Sequence, residues 1–171
     1  MKRKSGQSAF TIIESMIYIS IAAVVLSSLF NFAWQIIYAN IKAQAVREVQ
    51  QNSRFAMEKI FEVVLSSNDI ITPANQGDYG PSLSLGMEDD SLNPTVIEIS
   101  NGKLLLTQGL NGPYEITNDG VEVLSLVFTN ASYSLEKETV RVQMSIKSKN
   151  QSQLIYYDAS LDSEGTISLR K

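Results

Sequence analysis

Twenty-seven consecutive residues, Ser15 to Ile41, carry no charged side chain. Within them MIYISIAAVVLSSLFNFAW is strongly apolar, and about 20 such residues in helical form cross the hydrocarbon of a bilayer. A lone segment in lipid must satisfy its own backbone hydrogen bonds, so it is a helix there. The stretch is also free of breakers, with neither Gly nor Pro from Ser8 to Thr72. The sequence therefore predicts one long helix over 10–66. Its transmembrane part covers about 15–38 and its amphipathic part about 39–66. In the second part Val46, Val49, Ala56, Ile60 and Val63 or Val64 recur at helical spacing and form one apolar stripe. Lys42, Arg47, Glu48, Arg54, Glu58 and Glu62 occupy other faces. Pro73 is the expected stop signal just downstream.

Charge gives the segment a direction. Lys2, Arg3 and Lys4 precede it, which by the positive-inside rule puts the N-terminus in the cytoplasm and everything beyond Trp34 outside. Trp34 itself is expected near the outer interface. The whole chain has a formal charge of −4. Without the three cations of residues 1–9 the rest stands at −7, a balance that argues against specific binding to phosphate backbones. There is no Cys and no His. Thiol nucleophiles, imidazole bases, disulfides and the commonest zinc sites are thereby excluded.

Three readings of the apolar segment follow from the residues alone: a cleaved secretory signal, a plain anchor, or a signal cut before the apolar run so that the helix is retained. The first fits poorly, because the run exceeds an ordinary signal core and no small-x-small site precedes a polar break. Glu14 lies at the start of the run. Its carboxylate is either solvated at the headgroup boundary or a functional acid within the membrane.

Residues 2–14, KRKSGQSAFTIIE, resemble the leader and cleavage region of type IV prepilins: a short basic leader, a small residue, then Phe-Thr-apolar-apolar-Glu leading into a long apolar helix. The resemblance covers about the first quarter of the chain. It implies a leader at 1–9, cleavage between Ala9 and Phe10 by a prepilin peptidase, and N-methylation of Phe10. Glu14 then becomes the assembly residue, pairing with the Phe10 amine of a neighbouring subunit. The family usually has Gly before the cut, whereas this chain has Ala9, the next smallest residue. A cut at Gly6–Gln7 would make Glu14 eighth instead of fifth. The implied partners are other pilin subunits, an inner-membrane assembly platform and membrane lipid. The implied role is that of a non-enzymatic minor pilin or pseudopilin without a cofactor. The alternative is an unprocessed single-pass module that binds or senses outside the membrane.

Residues 67–171 read as a β-rich head, so the fold class is α+β: a long helix packed on a mainly antiparallel sheet. Asn101-Gly102 between TVIEIS and KLLLT suits a tight I′ hairpin. VEVLSLVFT reads as a strand buried on both faces. TVRVQMSIKS alternates, and SQLIYYDA and GTISLR complete the sheet. Residues 67–94 read as loop with one short strand. Asp158, Asp162, Glu164 and Gly165 form the one acidic group with some likeness to a calcium loop, but the spacing does not match the EF-hand pattern and a solvated turn is the preferred reading. Glu88, Asp89 and Asp90 read as a solvated loop, and Tyr156 and Tyr157 as one core and one surface strand residue.

Overall fold

The computed structural model describes residues 11–133, 138–149 and 158–170. Two compact units emerge, Met1–Asn40 and Ile41–Lys171. Helix α1 (Ile12–Leu65) contributes to both. In the first unit the helix is apolar on all sides and none of its most apolar window is buried.

In the second unit α1 becomes one-sided. Ala45, Val49, Asn52, Ser53, Ala56, Ile60, Val63 and Val64 are buried. Their spacings of three and four keep them on one stripe. Each fully buried Val or Ile contributes roughly 1.5–3 kcal/mol. Ala45, not Val46, is the buried residue of the first turn; Val46 is half-buried at the core's margin. The helix does not end because of Pro73, which lies beyond a whole strand. It ends where serines take over its last carbonyls: Ser66 Oγ donates to the Glu62 carbonyl at 2.8 Å and Ser67 Oγ to that of Val64 at 2.7 Å. Free carbonyls at a helix end need such partners.

The strands form two antiparallel sheets rather than one. The first has the order β1 (Ser67–Thr72), β3 (Leu83–Met87), β4 (Thr95–Ser100), β5 (Lys103–Gln108), β6 (Asn111–Glu115). The second has the order β2 (Tyr79–Gly80), β7 (Val121–Asn130), β8 (Thr139–Ser148), β9 (Ser160–Ser168). One core joins the helix stripe to Leu83, Leu85, Ile97, Leu104 and Leu106 of the first sheet. On the second it meets Val121, Leu126, Phe128, Val142, Met144 and Ile146.

The β4–β5 hairpin turns at Asn101 and Gly102 with φ of 52° and 72°, and Ser100 pairs Lys103. Both central residues thus take the positive φ that a I′ turn requires. Strand β8 alternates as its sequence does. Strand β7 is buried on one face only, contrary to the two-sided reading. A register shift between Val123 and Ser125 re-phases the strand, so Val123 and Leu126 both point inward and Leu124 is left exposed. The 67–94 region holds three strands instead of one. Strand β6 has no counterpart in the sequence reading, because all five of its residues are exposed and it contributes backbone pairing without a buried face. Its Pro113 suits an edge strand. Strand β9 starts upstream of GTISLR, at Ser160. The SQLIYYDA strand and the Tyr156–Tyr157 reading fall almost wholly outside the described residues.

Candidate functional site

The first unit holds the feature with the clearest chemistry. Thr11 begins α1: its Oγ1 accepts from the Glu14 backbone N–H at 3.3 Å. Its carbonyl accepts from the Ser15 N–H at 3.2 Å. Thr-x-x-Glu at a helix start is the capping-box spacing, so the Thr11-to-Glu14 interval has a local structural meaning. The capping bond uses the backbone of Glu14 and leaves its carboxylate free for other roles. That carboxylate is the sole charged side chain between Thr11 and Ile41. Ala9 and Phe10 lie outside the described residues.

Beyond Glu14 the surface is hydrocarbon. Ile12, Ile19, Val24, Leu29, Phe30 and Phe32 are 57–82% exposed. Four polar side chains among them turn back to the helix backbone. Ser20 Oγ donates to the Met16 carbonyl (2.7 Å), Ser27 Oγ to Ala23 (2.8 Å), Ser28 Oγ to Val25 (2.9 Å) and Asn31 Nδ2 to Ser27 (2.9 Å). These donors therefore do not need water, which is the condition for a helix surrounded by lipid or by other apolar helices. Among the described residues one helix, α1, is long and apolar enough to cross a membrane. At the far end of its apolar part Trp34 and Tyr38 stack, ring centres 5.9 Å apart.

The second unit offers no comparable site among the described residues. Asp162, Glu164 and Gly165 form neither a calcium loop nor a solvated turn; they lie in strand β9. Asp162 and Glu164 project from its exposed face, and Arg141 Nε donates to Glu164 at 2.8 Å. Gly165 faces the helix: a Cβ there would overlap the Phe61 ring and crowd Met57. Asp158 lies just outside the strand, and its carbonyl accepts from Lys42 Nζ at 2.8 Å. Among the described residues no group of three or more carboxylates could hold a metal. Glu88, Asp89 and Asp90 follow β3 and all three are exposed. Asp89 caps a 3₁₀ turn at Asp90–Leu92 by accepting from the Ser91 N–H at 2.9 Å. Hydrogen bonding from Ser91 holds its carboxyl below the ordinary range.

A polar seam on the helix has no place in the sequence reading. Asn52 Oδ1 accepts from the Asn118 N–H at 3.1 Å, and Asn118 Nδ2 donates to Glu48 at 3.3 Å. Ser53 Oγ meets Ser163 Oγ at 2.6 Å. A Cβ at Gly120 would overlap the Glu48 carboxylate. These groups fix the helix to the loop before β7 and to β9. The signal in the sequence is Asn52-Ser53 itself, a polar pair in register with an apolar stripe.

No protein-family model, no curated protein and no solved structure matches this chain.

Proposed function

We propose that the chain is a type IV pilin-like protein, a minor pilin or pseudopilin. In this reading it is inserted in the cytoplasmic membrane as a precursor with its N-terminus inside. A prepilin peptidase then cuts it between Ala9 and Phe10, and it assembles through α1 into a pilus or a related secretion or DNA-uptake filament. The observation that carries the reading is the exposed apolar part of α1. It is long enough to span a bilayer and its serine hydroxyls are satisfied internally, and it is preceded by KRKSGQSAFTIIE and followed by a folded β head. Such a surface exchanges lipid contacts for contacts with copies of itself without meeting water.

Glu14 supplies the register. A carboxylate and a new Phe10 amine are each costly in a low-dielectric surround and attract strongly when paired, which fixes the stagger between successive subunits. Because Thr11 caps the backbone of Glu14, Glu14→Ala removes the carboxylate and keeps the cap. The variant is expected to insert and be cleaved normally and to be lost from filaments. Normal incorporation would refute the pairing.

The capping geometry also favours a second reading, in which Thr11 and Glu14 only start the helix of an unprocessed membrane-anchored module that binds or senses with its head. The intact mass of membrane-extracted protein, with and without a cognate prepilin peptidase, separates the two. Loss of Met1–Ala9 supports the pilin pathway, and a further methyl group strengthens it. An uncut chain beside an active peptidase supports the anchored module.

A further inference from the structure

We infer that the stacked Trp34–Tyr38 pair is a lipid-interface site that fixes the depth of α1 in the bilayer. The inference rests on the membrane-inserted stage of the proposal above and adds a ligand to it, the headgroup and glycerol zone of the outer leaflet.

Spacing comes first. Glu14 and Trp34 are 20 residues apart on one uninterrupted helix. At ~1.5 Å per residue that is ~30 Å, the thickness of a bilayer's hydrocarbon core. Tyr38 lies one turn further, ~6 Å along the axis. When Trp34 and Tyr38 reside in one interface, Glu14 reaches the boundary of the other, and the charge-free stretch between them fills the core.

Chemistry comes second. Trp and Tyr are amphipathic rings that favour the membrane–water interface, where the flat apolar body stays in lipid and the polar edge meets water. Here the two occupy adjacent turns of one face and stack with an interplanar angle of 23°. Trp34 retains 54% exposure while Tyr38 is half-buried, so the stack presents the tryptophan ring on the helix surface, backed by the tyrosine. The sequence on either side agrees. Leu29, Phe30 and Phe32 precede the pair, while Asn40 and Lys42 follow it.

The single tryptophan of the chain makes the test direct. Full-length protein is reconstituted in phosphatidylcholine vesicles, and its fluorescence is quenched by lipids brominated near the headgroup end, the middle or the methyl end of the acyl chains. Strongest quenching by the shallow label, placing the ring ~15 Å from the bilayer centre, is expected. In Tyr38→Leu the strongest quenching should move toward the mid-chain label, because the helix loses half of its aromatic stack. Strongest quenching of the wild type by the methyl-end label would overturn the site while leaving membrane insertion, and so the pilin reading, intact. Unchanged depth in Tyr38→Leu would remove Tyr38 from the site. Absence of quenching by every label in vesicle-bound protein would overturn both the site and the membrane stage beneath it.

Discussion

Val24 and Val49 belong to the same helix, yet one is 71% exposed and the other 1%. Asn31 and Asn52 sharpen the contrast. Each donates its side-chain amide to the carbonyl four residues back, at 2.9 Å in both cases. In Asn31 that bond settles a polar group on an apolar exterior. In Asn52 the remaining oxygen also accepts a bond from the backbone of Asn118. The same local device thus serves opposite ends. Before Asn40 the serine side chains and Asn31 are folded back onto the helix, and the surface around them is mostly hydrocarbon. After Ile41 the side chains of Lys42, Glu48, Asn52 and Ser53 bond to the head and tie it to the helix. A helix of one uniform secondary structure is addressed to two different surroundings, and the residue pattern alone decides which.

The comparison breaks most visibly under truncation of a buried aliphatic side chain. Ile60 is fully buried in the head core, and Ile60→Ala should cost ~2–5 kcal/mol, the usual range for a cavity-forming change. Val24→Ala should leave head stability within ~0.5 kcal/mol. Amide hydrogen exchange in β8, followed in detergent-solubilised full-length protein, reads both, whereas Trp34 fluorescence would not, since that residue is outside the head. Equal effects of the two substitutions would mean that the units are not separate in stability.

The asparagine pair gives a smaller and more specific contrast. Asn52→Ala removes the side-chain acceptor of the Asn118 N–H, a part-buried bond, and should cost ~1 kcal/mol, the usual net worth of such a hydrogen bond. Asn31→Ala removes no such bond and should be silent in the same exchange measurement. If Asn52→Ala were silent as well, the polar seam would have to be replaceable by water.

Much of the fold is legible in the residues, and where it is not the reasons are physical. The long helix, the I′ hairpin at Asn101-Gly102 and the alternation of β8 each follow a short-range rule that no distant contact overrides. Strand β7 misleads because a bulge at Leu124 shifts its period midway, so a one-faced strand shows near-continuous apolar residues. Strand β6 carries no inward side chain to produce a pattern. The helix end expected at 66 falls at Leu65, but its cause is not Pro73: Ser66 and Ser67 end it by hydrogen bonding that many serine pairs resemble in sequence. The acidic group near the C-terminus suggests a loop because Gly165 and three carboxylates favour one; its Gly is there to admit Phe61 and Met57. At the candidate site, Thr11 and Glu14 are legible as a motif. Their capping bond needs coordinates, because it involves the backbone of Glu14 and not its carboxylate.

The smallest effect concerns charge, and it belongs to the head alone. Lys103 is 11% exposed at its side chain. Its Nζ lies 2.7 Å from Asp119 and 3.5 Å from Glu115, with the Thr117 carbonyl at 3.4 Å. Burial lowers the tendency of Lys103 to hold its proton, but the hydrogen bond and charge of Asp119, helped by Glu115, prevail and raise its pKa. Asp119 is shifted down, first by the Lys103 hydrogen bond and then by the charge of Lys103, with burial opposing and Lys149 adding a little. The signs set the window. The depressed acid contributes fully above its ordinary value of 3.8 and loses its contribution as pH falls through the lower folded value. The raised base contributes fully below 10.5 and loses its contribution as pH climbs through the higher folded value. Wild type and Asp119→Asn should therefore differ by a constant amount from about pH 5 to about pH 9. They should converge in acid, as the wild-type carboxylate takes up its proton, and again in strong alkali. Because the Asp119 side chain is 96% exposed, added salt should shrink the gap. A gap that persists unchanged well below the ordinary carboxylate range would show that the substitution perturbs the turn before β7 rather than the ion pair.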